Sequence, residues 1–590
     1  MRRLLALLLL VCAGSAHAEA PSLAWAKWEP SLFDRAARED KYILLHMAAV
    51  WCHWCHVMER TTYRDATIQQ RIAEKFIAVR IDQDSDPALS YRYENWGWPA
   101  TIMLDKDGNE IFKRRGYIPP ELFLKLLAAV IEDPSALPSD TAGAAVDPSA
   151  VALSSARRER TEALMIKSYD KANGGFGDTH RFIHGDTLEW VLERSRPLQR
   201  NADVEAWREM SARTLGGARR LLDPVWGGMF QYSDKLDWSS PHYEKLLNIQ
   251  RDAMRSYVLA YQVGRDPADV AAAREIGRWL MDFMRAPTGA FYTSQDADAG
   301  ELHGDAFYAR SDAERRAGPQ PPIDRNSYAR ENGWAITSLS ALYDITGEQA
   351  LVDAAVRAFD WVITNRRSPN GGFGHVRAND DDTHLGDTLA MAEAALALYR
   401  STAERRYLAL AVEVGQVIVR DHRDPTGGFI VRQPEPGAKG VLAKPVKQVD
   451  ENVAAVRLLN LLARQTARPD FKEAAEHGMR YLVSLAEDDL VLPGALLADR
   501  ELSREPAHVT IVGAKDDPAA RALYEAARAY PTRYFRIEWL DRREGALPAG
   551  DIEYPEMPEA AAFACANGAC SVPVFTAAEV HQIANKVDDR

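Results

Sequence analysis

Apolar residues fall in two regimes along this chain, and the change between them marks its architecture. Near the start they come as short unbroken runs. Tyr42 to Val50 and Phe76 to Asp82 read as buried strands, and Gly97-Trp98-Pro99-Ala100-Thr101-Ile102-Met103-Leu104 as a third. Lys106-Asp107-Gly108-Asn109 predicts a hairpin turn into Glu110-Ile111-Phe112-Lys113. A helix is expected from Pro120 to Ile131, with proline in its first turn, where a missing N–H does no harm. Pro99 sits badly in a central strand because it cannot donate to the ladder. It fits if Trp98-Pro99 is a cis peptide, since cis bonds are essentially confined to X-Pro.

Asp133 through Ala150 is rich in Pro, Ser, Ala and Asp and reads as a linker. From there to about Ser484 apolar residues recur at three- and four-residue spacing, as in Ala253–Tyr261, Trp334–Tyr343 and Leu389–Tyr399. Between the helices a turn repeats: Asn173-Gly174-Gly175-Phe176, Trp226-Gly227-Gly228-Met229, Thr288-Gly289-Ala290-Phe291, Asn370-Gly371-Gly372-Phe373 and Thr426-Gly427-Gly428-Phe429. Each is expected to reverse the chain on glycine and anchor a short strand through the aromatic residue. Eleven or twelve helices suffice for an (α/α)6 toroid. A small α/β module follows, with strands at His508–Gly513 and Tyr534–Leu540 around a helix from Pro518 to Ala529. A last helix is expected from Ala577 to Ile583.

Length and composition fit several soluble domains: 590 residues, 46% hydrophobic and 27% charged. A net charge of −13 argues against a nucleic-acid partner. Met1-Arg2-Arg3, the apolar Leu4–Val11 and Ala16-His17-Ala18 have the form of a secretory signal. Export to a periplasm or exterior is therefore expected, with no stable membrane span. Loss of that segment removes Cys12 and leaves two close pairs, Cys52/Cys55 and Cys565/Cys570. Their placement suits electron relay, with a local disulfide as the alternative for the second pair.

Trp51-Cys52-His53-Trp54-Cys55-His56 carries the chemistry. A thiol at a helix start faces unpaired N–H groups that favour thiolate. Cys52 is the expected nucleophile and Cys55 the resolving thiol. His53, when protonated, would stabilise the Cys52 thiolate. Trp51 and Trp54 would shield the site, and Pro99 would present backbone to an incoming substrate. Two chemical rivals exist, beside the bland reading of a structural disulfide. Cys52-Cys55-His56 fits the C-x-x-C-H attachment of haem c, which the strand-rich sequence downstream disfavours. Zinc or copper lacks further Cys or His ligands between His56 and the linker. The expectation is a redox-active disulfide with no other cofactor and no metal.

Strand, W-C-x-x-C, helix, strand, proline, hairpin and helix together resemble the thioredoxin fold. The longer string Trp51 to Glu59, with Gly97-Trp98-Pro99, Pro241–Leu247, Ser294-Gln295-Asp296-Ala297-Asp298 and Cys565–Cys570, resembles the spermatogenesis-associated protein 20-like thioredoxin-domain family. The acidic stretch after the second strand, Asp82 to Pro87, is shorter than that family leads one to expect. The resemblance implies an N-terminal thioredoxin-like domain and a six-hairpin glycosidase-like barrel. The expected division is a signal peptide at 1–18, a thioredoxin-like domain at 19–133, a linker at 134–150, the toroid at 151–500 and the α/β module at 501–590.

A barrel of this kind implies a central cavity lined by loops. His242, Glu244, Asp296 and Asp298 are its candidate pocket residues, with Glu301, Asp387 and Glu451 further on. Trp226, Tyr232 and Trp238 are candidates for stacking on sugar rings. The functional expectation is an exported thiol–disulfide oxidoreductase. It would act on disulfide or thiol client proteins with a redox donor or acceptor, and the toroid would select client or glycan. The alternative is a carbohydrate-active or sugar-binding protein with an accessory thioredoxin-like domain.

Overall fold

A computed structural model describes residues 23–138, 146–147, 149–196, 203–379, 382–485, 491–566 and 568–588. The expected signal segment and part of the linker lie outside them. Among the described residues no helix is long and apolar enough to cross a membrane.

The N-terminal sheet has four strands, Tyr42–Ala48, Phe76–Asp82, Ala100–Leu104 and Glu110–Arg115, with Tyr42–Ala48 inside. That strand runs parallel to Phe76–Asp82 and antiparallel to Ala100–Leu104. Both its faces are covered, and six of its seven residues are buried, which explains the unbroken apolar run. The third strand starts at Ala100, after a cis Trp98–Pro99 bond, so the proline stands outside the ladder.

Twelve helices then form a closed double ring. The inner six are Gly185–Arg194, Leu247–Gly264, Ala329–Thr346, Leu385–Thr402, Val449–Thr466 and Pro493–Leu502, and each packs on the next, the last returning to the first. The outer six are Ser155–Lys167, Val204–Ala218, Pro267–Trp279, Gln349–Arg366, Arg405–Asp421 and Pro469–Leu485. The chain enters on an outer helix and leaves on an inner one, and these two pack together to seal the ring. This is the (α/α)6 toroid. Its last helix ends at Leu502, two residues past the expected boundary.

The glycine–aromatic turns contain single β-bridges where short strands were expected: Leu222 with Met229, Arg285 with Phe291, Arg367 with Phe373 and Arg423 with Phe429. Amide side chains of the inner helices hold three of them. Gln250, Asn332 and Asn452 each accept from and donate to the backbone of one turn residue, Met229, Phe291 and Phe429 respectively. Such pairing satisfies backbone groups that burial would otherwise strand.

The C-terminal module is more than a β-α-β unit. Ala561–Ala566, not expected as a strand, pairs antiparallel with Ala507–Val512, which is parallel to Phe535–Leu540; Ala569–Cys570 completes the edge. Helix Ala577–Asp588 covers the sheet. Strand order, directions and closing helix repeat those of the N-terminal domain, so the toroid lies between two sheets of one topology.

Candidate functional site

Cys52 is the N-cap of helix His53–Thr61, and its sulfur accepts the Cys55 N–H at 3.2 Å. Cys52 and Cys55 are joined as a disulfide. Neither is open to solvent: Cys52 is 4% exposed and Cys55 0%. In this closed arrangement a client cannot touch the first sulfur, the contact that exchange requires. Trp54 does not shield the pair; it is 47% exposed and leans on Tyr117. The cover comes from Trp51 and Trp98 on one side and from the toroid's Leu246 and Ile249 on the other. Pro99 is beside the site, but its carbonyl accepts the Gly116 N–H at 2.7 Å, so that oxygen is already engaged.

Two histidine–aspartate contacts fasten the helix to the toroid. His53 Nδ1 bonds Asp298 Oδ2, and His56 Nε2 lies 3.1 Å from Asp296 Oδ2 and 2.9 Å from the Val50 carbonyl. The hydrogen bond to Asp298 raises the His53 pKa, and the one to Asp296 raises that of His56. Glu244 is buried beside them. Burial first, then the charges of Asp296 and Asp298, push its carboxyl up to about 7, and its Oε2 accepts no hydrogen bond.

These positions correct the expected toroid pocket. Glu244, Asp296 and Asp298 belong to the wall around the dithiol. His242 is next to Glu244, with its Nε2 on Asp234 at 2.8 Å and its ring stacked on Tyr232 at 4.1 Å. None of the four lines the axial chamber, which holds about 670 Å³. Trp226 and Trp238 are buried in the toroid core, with their N–H groups bonded to Asp312 and the Asn173 carbonyl. Asp387 is buried under His375, and Glu301 is exposed.

The chamber is capped at both ends. At the N-terminal ends of the inner helices the cap is the thioredoxin-like domain, through Gln83, Asp84, Tyr91 and Glu94. Tyr91 OH accepts from Arg330 Nη1 at 2.5 Å, and the Tyr91 carbonyl accepts from Gln448 at 2.6 Å. His375, fully buried, donates from Nδ1 to Asp387 at 2.9 Å and from Nε2 to the Asp84 carbonyl at 2.5 Å. Asp84 Oδ2 in turn accepts from Trp51 Nε1 at 2.9 Å, so one chain of contacts joins the dithiol wall to the chamber rim. Of the sequence candidates only Glu451 faces the chamber, where burial and then Asp450 push its carboxyl up to about 8. The face of Trp334 is occupied by Arg251 and Arg330. At the far end Thr532 to Phe535 of the C-terminal module close the ring. Cys565 and Cys570 form a disulfide there, on directly opposed strands.

Residues 15–132 match the family Thioredox_DsbH, described as a protein of unknown function, DUF255. Spermatogenesis-associated protein 20 of Mus musculus is 26% identical over 309 residues, covering 47% of this chain and 39% of that protein. The chain thus matches about two fifths of that relative's length. The thiol:disulfide interchange protein DsbD of Ralstonia nicotianae is 35% identical over 108 residues, 18% of each chain. Among solved structures, a D-mannose isomerase superposes with a TM-score of 0.46 at 12% identity, over 60% of this chain and 99% of its own. Cellobiose 2-epimerase from Bacillus thermoamylovorans B4167 gives 0.44 at 11%, over 55% and 86%. The N-terminal residues 15–132 thus match the Thioredox_DsbH family model, about half of the chain is similar to spermatogenesis-associated protein 20, and the fold is a thioredoxin-like domain set on an (α/α)6 toroid.

Proposed function

We propose that the protein is an exported thiol–disulfide oxidoreductase acting through Cys52 and Cys55. The observation that carries this reading is the Cys52–Cys55 disulfide closed across the first turn of a helix, with Cys52 as its cap. Likeness of the same domain to an interchange protein supports it. In the reductive direction the Cys52 thiolate attacks a client disulfide, forming a mixed disulfide and releasing one client thiol. Cys55 thiolate then displaces the second, so the client gains two electrons and the Cys52–Cys55 bond returns. A partner dithiol protein resupplies the electrons, and the reverse sequence oxidises a client dithiol. Because the toroid covers the sulfurs, a protein client reaches them only when Leu246 and Ile249 withdraw. Export rests on the signal-like Met1–Ala18.

The test uses the full chain and a peptide disulfide. Cys52→Ser should abolish exchange, and Cys55→Ser should accumulate a mixed disulfide on Cys52. Exchange that persists in Cys52→Ser removes the reading.

The chamber favours a second reading, a carbohydrate-sized polar ligand. Its volume of about 670 Å³ is within the roughly 300–1,000 Å³ of small-molecule sites. Glycan binding by the full chain that ignores Cys52→Ser would support it, and a screen without binders would count against it.

A further inference from the structure

The toroid brings a second set of donors to the dithiol that sequence proximity hides. His53 comes from the first turn after Cys52, whereas Asp298 and His303 come from one toroid loop about two hundred and fifty residues later. One ligand atom from each lies within 4.8 Å of the others. His53 Nδ1 bonds Asp298 Oδ2, His303 Nδ1 is 3.8 Å from Asp298 Oδ1, and the two rings stand edge to face at 5.2 Å. We propose that His53, Asp298 and His303 form a binding site for a divalent transition-metal ion, zinc above all, spanning the thioredoxin-like domain and the toroid.

Two imidazoles and a carboxylate are the donor set of three-ligand zinc sites that keep a fourth position for water. Metal–ligand lengths near 2.1 Å set ligand atoms about 3.4 Å apart in a tetrahedral site, so His303 has to draw in while the hydrogen-bonded His53 and Asp298 atoms part slightly to admit the ion. The His303 side chain is 68% exposed and can turn inward, while His53 and Asp298 are already held. An outer shell is in place: Asp298 Oδ1 accepts the Gly304 N–H, and the Asp298 N–H donates to Asp296, which bonds His56. Glu244 is an independent observation that points to a cation at this wall. It is 4% exposed, its Oε2 accepts no hydrogen bond, and it belongs to the same group of charges as His53, Asp296 and Asp298. His242 Nδ1 is 3.9 Å from that oxygen, too far for a hydrogen bond. Glu244, Asp296 and Asp298 gather their carboxyl groups in one partly buried wall, where a divalent ion would offset their charge.

The experiment uses the oxidised full chain, whose disulfide excludes thiolate ligands. Stripped with a chelator, it is titrated with zinc against a chromogenic competitor and with cobalt(II) in the visible range. One ion per chain is expected, with a cobalt spectrum of low coordination number. His303→Ala, at an exposed position that the fold tolerates, and Asp298→Asn should each weaken binding at least about tenfold. Cys52→Ser should bind like the parent chain. Absence of competition at micromolar zinc, or equal binding by the parent and His303→Ala, overturns the site. Binding that appears only after the Cys52–Cys55 disulfide is reduced, and that His303→Ala retains, assigns the metal to thiols and overturns the site equally.

Discussion

At the scale of single residues, Leu246 and His375 decide how the dithiol is held. Leu246 is 7% exposed and packs on the sulfurs from the toroid side. Truncation to alanine forfeits about 2 kcal/mol of packing, which raises the open fraction by about tenfold or more if the contact breaks on opening. Leu246→Ala should therefore speed alkylation of the reduced protein by that factor, measured by stopped-flow thiol labelling. His375 donates from both ring nitrogens, which only the imidazolium can do. Burial opposes that charge, but Asp387 prevails and raises the pKa from 6.5 to about 9. A raised folded value means the stabilisation is complete below about pH 6.5 and is lost as pH climbs through about 9. Denaturation midpoints measured from pH 6 to 10 should fall toward the alkaline end, and less so in His375→Gln. The dithiol itself was legible in sequence, because strand, W-C-x-x-C and helix are local. Its burial was not: Leu246, Asp298 and His303 are far along the chain, and nothing in their local pattern says which surface they meet.

At the scale of elements, turns and loops set the docking. The hairpin turn at Gly108, read correctly from Lys106–Asn109, abuts a toroid loop at Gly440, and Val441 N–H donates to the Gly108 carbonyl at 3.0 Å. A β-carbon on Gly440 would stand 2.1 Å from that carbonyl oxygen, and its φ of +54° already disfavours a side chain. The contacted atom is backbone, so it cannot swing aside. Gly440→Ala should cost about 1–3 kcal/mol through crowding and strain and loosen this docking, read as faster proteolysis between the domains and a lower unfolding midpoint. Helical periodicity foretold the ring because each inner helix buries a face against its neighbours. The pocket residues were misplaced for a related reason: position after a glycine–aromatic turn does not say which end or side of the ring a loop occupies.

At the scale of the whole molecule, the two cysteine pairs lie at opposite ends of the toroid. Inner helices of 18 residues are about 27 Å long, and thiol exchange needs sulfur–sulfur contact. Direct relay between Cys52 and Cys565 within one closed chain is excluded, contrary to what two terminal pairs suggested. The double variant Cys565→Ser/Cys570→Ser should leave peptide-disulfide exchange at Cys52 unchanged within error in a turnover assay. The second thioredoxin topology escaped sequence reading because it lacks the W-C-x-x-C marker; its cysteines are on the strand hairpin instead of the helix start.

The segment from Asp82 to Trp96 is at once a lid over the axial chamber and, through Asp84 and Trp51, a buttress for the sulfurs. Lifting it to admit a bulky protein would vent the chamber in the same stroke. Thermodynamic reciprocity then binds the two events together. A small molecule that prefers the vented form makes the sulfurs easier to reach, and engagement of the sulfurs tightens its hold by an equal factor.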